Sequence, residues 1–549
     1  MALFFKVLCF NFTDISIAYI NNFVNSGVFS FVRRFDLQIG GRTSRPMQNL
    51  LFYAKIKTNN YYFTYHSMTD SHPHRIAKNT TYLTMAYVVQ KLLSFIYFIF
   101  VARMIGVDNV GKYVFALSFT TIFSVFIDLG LSPVLTRETA KETSRANSQL
   151  NNILGIKTIL SVLTFIVVIA LINILDYPTV TKTLVYLAGA IMVLDSFTLS
   201  FYAVFRGFQN LKYEALGMII GQAITVIVGL TGLYLKFPLY IIIIALLANS
   251  FFNFLYSLIL LEVKLGVKPR IKFNNAAGIT LLKVALPFAI AAIFTRVYGY
   301  IDSVLLSILS GDKFVGWYGV AYKLTFALQF IPAAFAAAIF PAMSSYYACS
   351  KELLARTFER SMFYLMILAL PISFGVIALA DQVINKIYGP AFAPSILPLQ
   401  ILISSLVFIF LNYPVGSLLN ACDRQSRNTF NMGIAMVVNI ILNITLIPGY
   451  NFVGASIASI ISSALLFFLG LQIVPEITEY NKAFLSRIFM KTLFSSIIMA
   501  AWLKFLEPNL NIIFLIPLGG LIYVVLMYLI GGFKKKDVTI VYEILSKKY

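Results

Sequence analysis

The chain has 549 residues, of which 59% are hydrophobic and only 12% charged, against ~45–50% apolar and ~25% charged in ordinary soluble domains. Apolar runs of about 20 residues, each able to cross a ~30 Å hydrocarbon layer as a helix, recur from residue 80 almost to the C-terminus and exclude a water-soluble protein. The balance of 43 Lys+Arg against 22 Asp+Glu, formally +21, fits basic loops on one membrane face and gives no reason to expect a nucleic-acid partner.

Residues 1–74 mix short apolar pieces with Asn, Thr and basic residues, without a clean apolar core and small-residue cleavage site. The expectation is an extension that is disordered, or that is not translated because synthesis starts at Met68. All three histidines, His66, His72 and His74, precede the first span, so neither histidine acid–base chemistry nor a His-ligated metal is expected in the membrane body. Cys9, Cys349 and Cys422 are far apart and odd in number, which implies no disulfide framework and no metal site. No cofactor is implied either.

The hydropathy pattern predicts an all-α polytopic membrane protein of about fourteen transmembrane helices. Spans 1 to 6 lie near 82–103, 112–134, 153–175, 183–205, 215–235 and 238–262. Spans 7 to 12 lie near 281–308, 314–340, 361–380, 396–417, 430–448 and 453–475, and spans 13 and 14 near 488–505 and 511–532. An even count puts both termini on one side. With that side taken as cytoplasmic, its connections and tail, ending in the basic stretch Lys534 to Lys548, hold 24 Lys/Arg against 7 in the opposite connections, as the positive-inside rule requires. This predicts a multi-pass protein of the cytoplasmic membrane. The opposite connections are short, none above ~16 residues, and no P-loop of the form GxxxxGK[ST] occurs.

Charge inside the spans is sparse, so each case carries information. Lys91 lies ~13 Å along span 1, near mid-bilayer. Asp128 falls toward the inner end of span 2, and Asp195 near mid-depth in span 4. Arg296 and Asp302 lie in span 7, six residues apart and so about 120° apart around the helix, poor partners for each other. Lys323 follows in span 8. A cation facing lipid at such depth costs at least ~2.5–3.5 kcal/mol, so Lys91 and Arg296 should face a cavity or a partner carboxylate. Lys323 could also snorkel outward, and Lys157 and Lys283, within a turn of the cytoplasmic boundary, read as snorkelling anchors.

A repeat organises these charges. Gly106, Gly111 and Tyr113 between spans 1 and 2 recur at a constant spacing of 205 residues as Gly311, Gly316 and Tyr318 between spans 7 and 8, and the same spacing carries Lys91 onto Arg296. Six spans separate the copies, which makes them parallel repeats about an axis along the membrane normal. The domains expected are the extension 1–74, an N-lobe 75–270 of spans 1 to 6, a C-lobe 271–480 of spans 7 to 12, and two additional helices with a basic tail, 481–549. Two pseudo-symmetric six-helix lobes suit alternating access around a midplane site. Midplane cations there would attract an anionic headgroup such as a diphosphate, with Lys91, Arg296 and Lys323 as substrate-binding residues and Asp195, Asp302 and Asp128 as coupling or counter-ion residues.

The segments Phe100 to Gly106, Gly111 to Tyr113, Asp128 to Leu131 and Thr136 to Glu138, with Arg206-Gly207, Asn443 to Pro448 and Gly454 to Ser456, resemble the polysaccharide-biosynthesis membrane proteins. These are the O-antigen-type flippases of the multidrug, oligosaccharidyl-lipid and polysaccharide exporter superfamily. The resemblance, over about residues 75–530, implies two six-helix lobes in a V around a central cavity and flipping of an undecaprenyl-diphosphate-linked oligosaccharide to the outer leaflet. It implies a polyprenyl-diphosphate-linked glycan and membrane lipids as partners, leaves glycan-assembly proteins open, and implies no enzymatic step. Two other readings stay open: a multidrug or cation antiporter of the same superfamily, and a membrane-embedded glycan polymerase or ligase. Net positive charge within the spans argues against the first, and short outer connections against the second.

Overall fold

The computed structural model describes residues 71–272 and 275–532; the extension before residue 71 and the basic tail from Lys534 lie outside the described residues, as do Cys9 and His66. Lys78–Gly532 form one compact unit. Hydrocarbon offers the backbone no hydrogen-bonding partners, so the long apolar stretches satisfy their own N–H and C=O groups as helices. No strand occurs among the described residues.

The first half contains α1 (Ser71–Asp128), α2 (Leu131–Lys141), α3 (Ala146–Ile174), α4 (Thr179–Gly207), α5 (Lys212–Tyr234) and α6 (Ile241–Leu265). The second contains α7 (Asn275–Ser310), α8 (Asp312–Ala327), α9 (Phe330–Cys349), α10 (Lys351–Ala378), α11 (Ala380–Ile387), α12 (Ile396–Ala421) and α13 (Gln425–Ile477). Two more, α14 (Lys482–Leu506) and α15 (Ile512–Leu529), follow. Polar caps mark several starts: the Ser350, Asn481 and Asn511 side chains accept from the backbone N–H of Leu353, Phe484 and Ile513.

Twelve helices among the described residues are long and apolar enough to cross a membrane. Two of them are broken at one residue and each holds two of the expected spans. The α1 break is Gly106 (φ 77°) and the α13 break Asn451 (φ 48°). Helix ends shift from expectation, as where α9 runs to Cys349 and α10 begins at Lys351, and three differences go beyond a shift of ends. Span 2 ends at Asp128 because Leu129 and Gly130 turn left-handed, and a side chain at Gly130 would meet Ala285 O at 2.9 Å and Phe288 Cβ at 2.7 Å. Only glycine satisfies both the dihedral and the approach. Span 8 is two helices, since Pro332 has no N–H for the Leu328 carbonyl and the chain turns at Leu328–Gln329. The connection after α10 contains the short helix α11 where a loop was expected.

The two halves share one buried apolar cluster away from the basic side. It joins Phe98, Val101, Phe115 and Phe119 to Leu306, Tyr318, Ala321, Ile384 and Phe392. Toward the basic side, the core of the first half takes in Ala285 of α7, with Leu281 and Leu282 packed against it from the same helix. Met85, Leu92 and Leu286 on that side are exposed.

The 205-residue spacing reappears in the contacts. A side chain at Gly111 would collide with the carbonyl of Asp312, and one at Gly316 with the carbonyl of Val107; Gly319 packs on Val114. Each contact maps onto its counterpart, or onto itself, when 205 is added or subtracted. Gly106 and Gly311 also share an unusual backbone conformation, φ 77°, ψ 172° and φ 96°, ψ 167°.

Candidate functional site

Lys91 is fifteen residues before Gly106 on α1, and Phe326 fifteen after Gly311 on α8, so both lie ~22 Å from the closed end at 1.5 Å per residue. The Lys91 ammonium sits 4.9 Å from the centroid of the Phe326 ring. One level up, the Lys323 ammonium of α8 sits 5.3 Å from the centroid of Phe98 on α1. The two halves thus exchange lysine for ring in both directions. Neither lysine has an ion-pair partner among the described residues, and Lys323 and Phe326 are i, i+3 neighbours on α8, so the two contacts are adjacent along one seam. Lys91 keeps accessible surface and Lys323 is half-buried.

Arg296 is exposed, without an ion pair or side-chain hydrogen bond to another described residue. Its direction follows from helical period. Phe294, Tyr298 and Asp302 face α13, through Gly433, Ser463 and Asn443. Arg296 lies on the opposite side of α7, in register with Ala285 and Ala289, which approach Gly130 of the first half.

Asp302 is 5% exposed and fully engaged. It accepts hydrogen bonds from Asn443 Nδ2 at 2.7 Å, Tyr318 Oη at 2.7 Å and Ser459 Oγ at 2.5 Å. Asn443 Nδ2 also reaches Asn439, while Asn443 Oδ1 is buried without a partner. Asp195 keeps accessible surface on α4, with the Ser250 hydroxyl of α6 beside it.

Asp128 pairs with Lys157 at 2.6 Å. The expectation that Lys157 snorkels at the boundary is wrong: its side chain is 0% exposed and donates to Ser132 Oγ at 3.1 Å and the Ser196 carbonyl at 2.7 Å. The helix surface that hydropathy assigned to the boundary is covered by α2 and α4. Lys283 is exposed.

The structure therefore brings Lys91 and Lys323 together, and encloses Asp302 and Asp128 in separate networks. Sequence reasoning missed the partners: Phe98, Phe326, Asn439, Asn443, Ser459 and the ladder Tyr318–Tyr322–Phe326. The ladder rings stack at centroid distances of 6.0 and 5.8 Å, and the i, i+4 spacing of its members was the available signal.

A helical membrane body with internally repeated contacts, closed at one end and bearing uncompensated charge inside, defines the class of polytopic transporters. The model for "Polysaccharide biosynthesis protein" matches residues 76–347, and the MatE model residues 287–445. A protein of Haloferax volcanii described as "Probable low-salt glycan biosynthesis flippase Agl15" is 23% identical over 390 residues, covering 71% of this chain and 81% of its own. An uncharacterized membrane protein of Methanocaldococcus jannaschii is 23% identical over 420 residues, 74% of this chain and 99% of its own. Among solved structures, "Lipid II flippase MurJ, inward closed conformation" superposes with a TM-score of 0.64 at 16% identity, covering 83% of this chain and 98% of that one. The chain belongs to the polysaccharide-biosynthesis membrane proteins of the multidrug, oligosaccharidyl-lipid and polysaccharide exporter superfamily.

Proposed function

We propose that this transporter moves a polyprenyl-diphosphate-linked oligosaccharide across the cytoplasmic membrane by alternating access between two six-helix lobes, 75–270 and 271–480. One observation supports the reading: Lys91 and Lys323, from different halves, meet adjacent positions of one seam inside the spans, and neither is ion-paired among the described residues. Like charges at that depth are unfavourable unless an anion joins them, and a diphosphate offers two charges and several acceptor oxygens. Arg296, facing the first half, adds a planar donor fork. The charge acts on the diphosphate rather than on prenyl length, so the undecaprenyl carrier is one member of the class. A cationic drug would meet repulsion at the same place.

In this reading the state described is shut on the outer face and accessible from the basic, cytoplasmic one, with both termini cytoplasmic. Asp302 is the acid proposed to exchange a coupling cation, because its hydroxyl donors and the unpartnered Asn443 Oδ1 can turn oxygen toward one. Asp195 is a second, more accessible acid. Asp128 serves only as the counter-ion of Lys157. No bond is made or broken, so the chain acts without enzymatic chemistry.

The test is complementation in a cell lacking its own flippase for the glycan. Lys91→Ala with Arg296→Ala should lose surface glycan and accumulate lipid-linked repeat units, at wild-type protein level. Unchanged surface glycan would remove both residues from transport.

A further inference from the structure

The cations proposed to bind substrate already have partners in the structure. Lys91 lies over Phe326 and Lys323 over Phe98, so two lysines and two rings knit α1 to α8 across the halves. A ring face attracts an ammonium through its quadrupole, more strongly where water is scarce, but far less than a phosphate does. The rings are fixed. Phe326 is the end of the ladder in which Tyr322 donates to the Gly299 carbonyl at 2.9 Å and Tyr318 to Asp302. Phe98 is 3% exposed and abuts Tyr388 edge-on at 6.3 Å. When the contact breaks, the flexible lysine moves and the ring stays.

We infer that Phe326 and Phe98 are positioning residues that hold Lys91 and Lys323 in the resting state, and that a diphosphate headgroup binds by drawing both lysines off their rings, thereby unfastening α1 from α8. The inference rests on the proposed cationic site and adds a consequence: ligand charge is spent on releasing an interlock between the halves. A neutral prenyl alcohol leaves the interlock shut. It also gives the ring pair a role in selectivity, since a monoanion that engages one lysine leaves the second contact in place.

Two measurements on the full chain in phosphatidylcholine nanodiscs test it. In the first, lysines are reductively methylated with 13C, which preserves their charge, and the Lys91 and Lys323 signals are assigned by their disappearance in Lys91→Arg and Lys323→Arg. Both should show upfield ring-current shifts in the empty protein. These should vanish with geranylgeranyl diphosphate and persist with geranylgeraniol. Inorganic pyrophosphate at equal concentration separates a headgroup-only effect, in which it abolishes the shifts equally, from one needing the lipid; both support the interlock. Shifts that are absent at rest, or that survive diphosphate binding, overturn it.

The second measurement compares affinities. Phe326→Leu and Phe98→Leu remove the competing ring and should each bind geranylgeranyl diphosphate about threefold to tenfold tighter, whereas Phe326→Tyr, which keeps a ring face, should match wild type. Unchanged or weaker binding by both leucine variants, with wild type still preferring diphosphate to alcohol, sinks the interlock alone. Wild type that fails to prefer the diphosphate sinks the cationic site as well.

Discussion

Lys157 and Lys91 are both lysines within helices of one membrane protein, and the fold treats them oppositely. Lys157 is sealed from solvent with a carboxylate, a hydroxyl and a carbonyl around its ammonium. Lys91 has accessible surface and, among the described residues, no ion-pairing carboxylate, its ammonium lying over the Phe326 ring. A charge that serves the fold is neutralised where it sits, because an unpaired charge in a low-dielectric interior costs several kcal/mol. Under the proposed function, a charge left without a carboxylate beside a second cation is held for a ligand that comes and goes. On that reading the contrast separates structural from functional charge inside one chain.

The contrast predicts a ranking of stabilities, readable from thermal unfolding in detergent. Asp128→Ala strands the Lys157 ammonium and should cost the most, roughly 3–5 kcal/mol. Pairing it with Lys157→Met should recover most of that loss, and a double variant as unstable as the single one would deny that the pair is self-contained. Asn443→Ala removes one donor from the Asp302 carboxylate and should cost about 1–3 kcal/mol. Equal stability to wild type would mean that the buried acid does not depend on that bond.

Gly316→Ala forces a methyl group onto the Val107 carbonyl at the closed end. The expected cost is about 1–3 kcal/mol, together with separation of the two turns, seen as a longer distance between spin labels on Asp108 and Lys313. An unchanged distance would show that the glycine contact does not hold that end shut. Smallest in stability is Lys91→Ala. Loss of its contact with Phe326 and relief of repulsion from Lys323 oppose each other, so the unfolding free energy should change by no more than about 1 kcal/mol while transport is abolished; a loss as large as that of Asp128→Ala would return Lys91 to the structural class.

How much of this was legible in the chain follows from the kind of information each feature needs. Hydropathy and charge are properties of consecutive residues, so the helical body and its basic face could be read directly. The 205-residue spacing was legible because Gly106 and Gly311 must adopt a left-handed conformation, which fixes residue type. The fate of Lys157 was not, since Asp128, Ser132 and the Ser196 carbonyl arrive from other helices. For the same reason Phe98 and Phe326 looked like two among 50 phenylalanines; only packing across the halves shows which rings meet a cation. The break before α9 could have been anticipated from Pro332, but a proline within an apolar run is common enough in membrane helices to pass without a break.

The central claim is that the uncompensated lysines act on an anionic lipid headgroup. Its most direct test is translocation in vesicles holding the purified chain, using a fluorescent disaccharide on geranylgeranyl diphosphate and its uncharged geranylgeraniol counterpart, for wild type and the Lys91→Ala/Lys323→Ala double variant. The account predicts that wild type moves the diphosphate-linked form faster than the uncharged one and that the variant, equally stable, loses that preference. Equal rates for the two substrates in wild type, or an undiminished preference in the variant, would contradict it.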